Sequence, residues 1–125
     1  MDDDRRFPFR TEMRGDIVVL TFGASHYHAD SHAALGAALT QAADAARAGR
    51  VIVDLSGVVL FSSTALRALR STYVALEARG GRIVAAGGGE LVAGVLKFAP
   101  FIEHYHSVDE AVAALSAAPS AKEAE

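Results

Sequence analysis

The sequence predicts an α/β domain, a mixed sheet of four to five strands with about four helices packed on it. Three observations lead there. Short β-branched runs alternate along the chain with longer stretches of helical periodicity. Two of the runs, residues 51–55 and 82–86, are apolar almost without a break, as strands buried on both faces of a parallel sheet are. The chain has 125 residues of which 51% are hydrophobic, enough for one core without disulfides or metal.

The elements follow in order. Residues 1–6 are charged, and residues 1–8 are expected to be a flexible lead-in. Residues 7–13 alternate weakly and suit an edge strand, with Pro8 tolerated only near its start. Arg14-Gly15-Asp16 is a turn signal. Residues 17–22, IVVLTF, are a strong β-branched run, so the pair reads as a hairpin. GASHYHADSH is a loop, and Asp30 or Ser31 can cap a helix over 33–46 with Leu35 and Leu39 on one face.

The strand at 51–55 comes next. Leu66, Leu69, Tyr73 and Leu76 then recur at spacings of three, four and three, one stripe of an amphipathic helix, with Arg67 and Arg70 off the stripe. Gly80-Gly81 stops that helix. The strand at 82–86 leads through Gly87-Gly88-Gly89 to a short helix at 91–98 ended by Pro100. A last short strand is expected over 101–106. Ser107-Val-Asp-Glu110 has the form of a capping box before AVAAL. The resulting order is β-β-α-β-α-β-α-β-α in one domain over residues 9–116. The small, polar ending at 117–125 is expected to be disordered.

Composition excludes several functions. There is no cysteine, so thiol catalysis, disulfides and cysteine-ligated zinc are ruled out. The net charge is −3 and the arginines are scattered, unlike the clustered cations of a nucleic-acid surface, so no direct nucleic-acid partner is expected. No apolar run approaches the roughly 18 residues of a membrane helix. The first ten residues have no apolar stretch of the signal-peptide kind. A cytoplasmic location and no membrane partner are therefore expected.

Several residue groups carry chemical potential. LFSSTAL, residues 60–66, puts three hydroxyls where a strand hands over to a helix. Such hydroxyls cap helices. The same free N–H groups and the positive end of the helix dipole also accept anions, so a phosphate there is tolerated. A phosphate adds about −1.5 to −2 charge to a surface that a partner reads when neutral. His26, His28, Asp30 and His32 have the residue types of a metal cluster but read as a loop, and the expectation is no metal. Gly87-Gly88-Gly89 lacks the Lys-Ser/Thr of a phosphate-binding loop. Asp54 has no nucleophile or histidine placed beside it by a motif. No catalytic constellation emerges, so the chain is expected not to be an enzyme and to need no cofactor.

VIVDLSGVVLFSSTAL, GGRIVAAGG and FIEHYHSVDEAVAAL together resemble STAS domains, the fold of bacterial anti-sigma factor antagonists. The resemblance spans about residues 9–116. It implies a binding module that engages an anti-sigma factor with serine kinase activity, releases a sigma factor, and is switched off when the kinase phosphorylates a serine. Position by position, Ser63 takes the place of the phosphorylated serine, with Thr64 and then Ser62 as the next acceptors. Ser62 stands where the family has Asp, and Ala65 where it has Gly. The family's upstream Gly-x-x-Asp falls on Ser25 and His28 without a gap, or on Gly23 and His26 with two inserted residues. Asp54 takes the place of a structural aspartate. The partner surface implied is residues 24–31 with 62–73, drawing on Ser25, His26, His28, Ser62, Ser63, Thr64, Arg67 and Arg70. The alternative is a STAS scaffold that is not phosphorylated, in a stress-signalling complex or a lipid-transport ATPase assembly.

Overall fold

The computed structural model describes residues 9–22, 31–46, 49–56 and 63–123. The elements are β1 (Phe9–Arg14), β2 (Ile17–Phe22), α1 (Ser31–Ala45), β3 (Arg50–Asp54), α2 (Ser63–Ala78), β4 (Arg82–Ala86), α3 (Glu90–Leu96), β5 (Glu103–Tyr105) and α4 (Val108–Glu123). This is the order the sequence predicts, with five strands. The sheet runs β1-β2-β3-β4-β5 in space as in sequence. β1 and β2 are antiparallel, and every other neighbouring pair is parallel.

Strand residues alternate between two faces, and the alternation sorts the core. Val18, Leu20, Val51, Val53, Ile83 and Ala85 face α1, α2 and α3, meeting Leu39, Leu69, Leu76, Val92 and Leu96. Ile17, Val19, Ile52, Val84 and Ala86 face α4, meeting Ala111 and Leu115. The β2-α1-β3, β3-α2-β4 and β4-α3-β5 connections all step the same way along the sheet. Right-handed crossovers stepping in one direction put their helices on one face, which leaves the other face to α4.

The hairpin turn carries Gly15 at φ 65, a left-handed conformation that glycine adopts without strain. In α2, Leu69 and Leu76 are buried, Leu66 and Tyr73 are half-buried, and Arg67 and Arg70 are exposed, as the predicted stripe requires. The helix ends in a Schellman motif. Gly81 N–H donates to the Leu76 carbonyl at 2.7 Å and Gly80 N–H to that of Glu77 at 3.0 Å. Arg79 reaches back to donate to the Ala43 carbonyl near the end of α1 at 3.0 Å.

α4 is capped as its sequence foretells, with one change. Glu110 N–H donates to Ser107 Oγ at 3.2 Å, but Glu110 Oε1 accepts from His106 N–H at 3.1 Å rather than from the N–H of Ser107. The helix backbone continues to Glu123, where composition predicts a disordered tail from 117. Alanine has the strongest helix propensity, and the alanines of the tail carry the helical conformation onward. β5 is shorter than the 101–106 expected, and α3 ends two residues before the 98 expected.

The chain enters β3 and β4 through two glycines in contact. Arg82 N–H donates to the Gly49 carbonyl at 2.6 Å. A Cβ on Gly81 would lie 2.5 Å from that carbonyl oxygen, and one on Gly49 would lie 2.9 Å from Gly81 Cα. Both approaches are below any real side-chain contact, so the backbones themselves would have to part. Gly81→Ala is therefore expected to destabilise the fold by about 1–3 kcal/mol. Gly36→Ala, in α1 with open space around it, should instead stabilise by about 0.5–1 kcal/mol. Urea unfolding midpoints at unchanged slope measure both.

Candidate functional site

Parallel α/β sheets gather their loops, and with them their sites, at the C-terminal ends of the strands. Here that end is organised by Asp54, the last residue of β3. One oxygen of its carboxylate accepts from Ser56 N–H at 3.0 Å and from the Ser56 hydroxyl. The other accepts from Thr21 Oγ1 at 3.4 Å, across the β2–β3 ladder where the two residues are partners. An aspartate bonding the backbone two residues on is an Asx turn, which bends the chain out of the strand.

The neighbouring loop closes on the same turn. Leu55 N–H donates to the Ala86 carbonyl at 2.8 Å, and Gly87 N–H to that of Tyr105 at 3.0 Å. Gly87 has φ 78, and a Cβ there would meet Ser56 backbone atoms at 3.1 Å. The glycine thus lets the β4–α3 connection lie against the start of the β3–α2 connection. His104 Nε2 donates to the Gly87 carbonyl at 2.7 Å.

The helix α2 opens at Ser63. Its first turn has no acidic residue, unlike α3 with Glu90 and α4 with Asp109 and Glu110. The positive end of this helix is thus left uncompensated by a side-chain carboxylate in its own first turn. Positions 63, 67, 70 and 74 fall at spacings of four, three and four, one helix face. Arg67 and Arg70 are exposed on it, and so is Val74. Val74 was missed in the sequence; its place on the outward stripe with the arginines is the signal that finds it. Ser62 with Ser25, His26 and His28 lies outside the described residues. Among the described residues no group of three His, Asp or Glu side chains could hold a metal.

A cleft of about 230 Å³ lies at the opposite end of the sheet, between the end of α2 and the start of β4. Tyr73, Glu77, Arg82, Phe101 and Glu103 line it. Tyr73 and Phe101 pack with ring centres 5.3 Å apart. The nearby Glu77 carboxylate raises the Tyr73 phenol, with partial burial adding to it. Burial, the largest single influence on the Glu103 carboxyl, acts to raise it. Hydrogen bonds from Arg82 and Tyr105 and the Arg82 charge together outweigh burial and hold it below its ordinary value. Tyr105 is raised by burial first and then by donating to Glu103 at 2.9 Å. None of the site residues expected from the sequence lines this cleft, apart from the helix that Tyr73 shares with them.

The family model described as "Mlab, STAS domain" matches residues 15–100. That is well over half of the chain, and the protein belongs to the STAS domain family. Solved structures agree in fold. A candidate anti-sigma factor antagonist of Thermotoga maritima is 16% identical with a TM-score of 0.74, covering 87% of this chain and 95% of that one. An anti-sigma factor antagonist from Mycobacterium paratuberculosis is 19% identical with a TM-score of 0.73, covering 85% and 91%. SpoIIAA in its unphosphorylated form is 21% identical with a TM-score of 0.58, covering 87% and 98%. The phosphorylated form of the same protein, a Bacillus cell-fate determinant, is also similar at a TM-score of 0.56, 21% identical and covering 86% and 98%. No curated protein matches the chain.

Two outcomes follow. Asp54→Ala removes the acceptor of three donors and should cost about 1–3 kcal/mol of stability, read from the thermal midpoint. Glu103 is lowered in the folded state, so its contribution is present above the ordinary carboxyl value of 4.5 and is lost as pH falls through the folded value. Glu103→Gln should therefore flatten the acid side of the stability–pH curve below about pH 5 and lower stability at neutral pH.

Proposed function

We propose that this protein is an anti-sigma factor antagonist whose binding is switched by phosphorylation of Ser63. The observation that carries the reading is Ser63 at the opening of α2, in a first turn without an acidic residue, on one face with exposed Arg67 and Arg70. Family membership and the fold shared with SpoIIAA in both of its forms support it.

The physical logic is local. A phosphate on Ser63 meets free helix N–H groups and the positive dipole end, so the domain keeps its fold. The partner, an anti-sigma factor with serine kinase activity, meets a new charge of about −1.5 to −2. A loss of about 3 kcal/mol from that charge weakens binding more than a hundredfold. Arg67 and Arg70 meet acidic groups on the partner. Ser25, His26, His28, Ser62 and Thr64 complete the surface, with Thr64 the next acceptor and Ser62 after it. The protein works in the cytoplasm of a bacterium and has no catalysis of its own.

Membership of the STAS family is compatible with a second reading, a STAS scaffold bound constitutively in a stress-signalling complex or a lipid-transport ATPase assembly. There the hydroxyls cap α2 and carry no phosphate. Incubation with a cognate anti-sigma kinase and ATP, followed by phosphosite mapping, separates the readings. One phosphate on Ser63, lost in Ser63→Ala, and binding weakened about a hundredfold in Ser63→Asp is the expected outcome. Absence of phosphate from residues 62–64 with unchanged binding of Ser63→Asp supports the scaffold and refutes the switch.

A further inference from the structure

The two edges of the sheet are unequal. β5 is three residues long, short enough to discourage pairing with another strand. β1 is six residues long and, among the described residues, is paired through one side alone. Arg10, Thr11, Glu12 and Met13 are all exposed, so no described part of the chain covers its outer edge.

The hairpin register decides which backbone groups that edge offers. Arg14 pairs with Ile17 around a two-residue turn. Such a turn is flanked by a hydrogen-bonded pair, so Arg14, Glu12 and Arg10 point their N–H and C=O groups at β2. Phe9, Thr11 and Met13 then point theirs outward. These three are an unused antiparallel ladder with a repeat of two residues.

We propose that β1 pairs antiparallel with β1 of a second copy of this chain, about a two-fold axis at Thr11. The charges select this register. With Thr11 opposite Thr11, Arg10 of each copy faces Glu12 of the other, and Met13 faces Phe9. Arg10 and Glu12 then form non-hydrogen-bonded pairs, the type in which side chains approach most closely. The register centred on Glu12 instead sets Glu12 against Glu12 and Arg10 against Arg14, like charge on like charge. The register centred on Met13 runs into Gly15, whose φ of 65 is not a strand conformation. It would also draw on Arg14, which is already bonded to Asp109 at 2.6 Å. The chosen register covers Met13, one of three large apolar side chains left exposed among the described residues. The two five-stranded sheets become one of ten strands, and the pairing is isologous as a two-fold requires. It lies on β1, away from α2 and Ser63, so both surfaces can be occupied together.

Sedimentation velocity of the full chain across a concentration series tests this. The wild type should show a concentration-dependent dimer. Glu12→Arg should weaken it at least about tenfold, equivalent to about 1.4 kcal/mol. Adding Arg10→Glu to that variant swaps the charges and should restore dimerisation to within about threefold of wild type. Thr11→Pro removes an outward N–H without touching the β1–β2 ladder, and should abolish the dimer while leaving the circular dichroism spectrum unchanged. A wild type that stays monomeric throughout overturns the proposal. So does a dimer whose affinity is indifferent to both the charge reversal and its repair, a pair of measurements that decides the matter even if the proline variant does not fold.

Discussion

β3 has no solvent-facing side in its middle. Val51, Ile52 and Val53 are buried together, two toward one face of the sheet and one toward the other. Every other element is placed by the need to cover this strand twice. Burial of one such branched aliphatic side chain is favourable by about 1.5–3 kcal/mol, so three in succession cannot be left half covered. The crossover helices α1, α2 and α3 cover one face because connections of a single hand that step in a single direction have no other choice. The second face needs an element that belongs to no crossover, and α4 supplies it with Ala111 and Leu115. The small Ala111 lets that helix sit close to Val84 and Ala86.

The same arrangement divides the labour between the two ends of the sheet. At the N-terminal ends of β3 and β4 the backbones touch through Gly49 and Gly81, and α2 is locked by its Schellman turn and by Arg79 reaching α1. At the C-terminal ends the polar ties of Asp54 to Thr21 and Ser56 hold the exit of β3, and Gly87 packs against it. α2 spans both ends. It is anchored where it stops, and its first-turn N–H groups have no partner within the helix itself.

Much of this was legible in the sequence for a plain reason: the strongest signals are local. The β-branched run of β2, the Leu66-Leu69-Tyr73-Leu76 stripe, the glycine pair after α2 and Ser107 ahead of α4 depend on neighbours a few residues away. Arg67 and Arg70 read as exposed because they fall off the stripe. What escaped depends on contacts between distant segments. Nothing near Gly49 announces that it will press on Gly81, and Asp54 gives no hint of Thr21 until β2 and β3 are aligned. Nor does the capping-box pattern announce that Glu110 will take the His106 N–H rather than that of Ser107. For the site, the position of Ser63 at a helix start was readable. Its upstream partners Ser25, His26 and His28 rested on a resemblance alone.

The spatial order of the strands repeats their order in the chain, and this has a consequence for biosynthesis. A ribosome delivers the chain from its first residue onward, so each new strand finds an edge already waiting and no strand must be inserted between two others. The hairpin is available first, and β3, β4 and β5 extend it one at a time, each with its helix closing the same face. The opposite face, carrying Ile17, Val19, Ile52 and Val84, stays open to water until α4 has left the exit tunnel. The nascent protein therefore passes through a stage with a nearly complete sheet and one bare greasy side, and the last-made helix is what turns that sticky half-product into a finished domain.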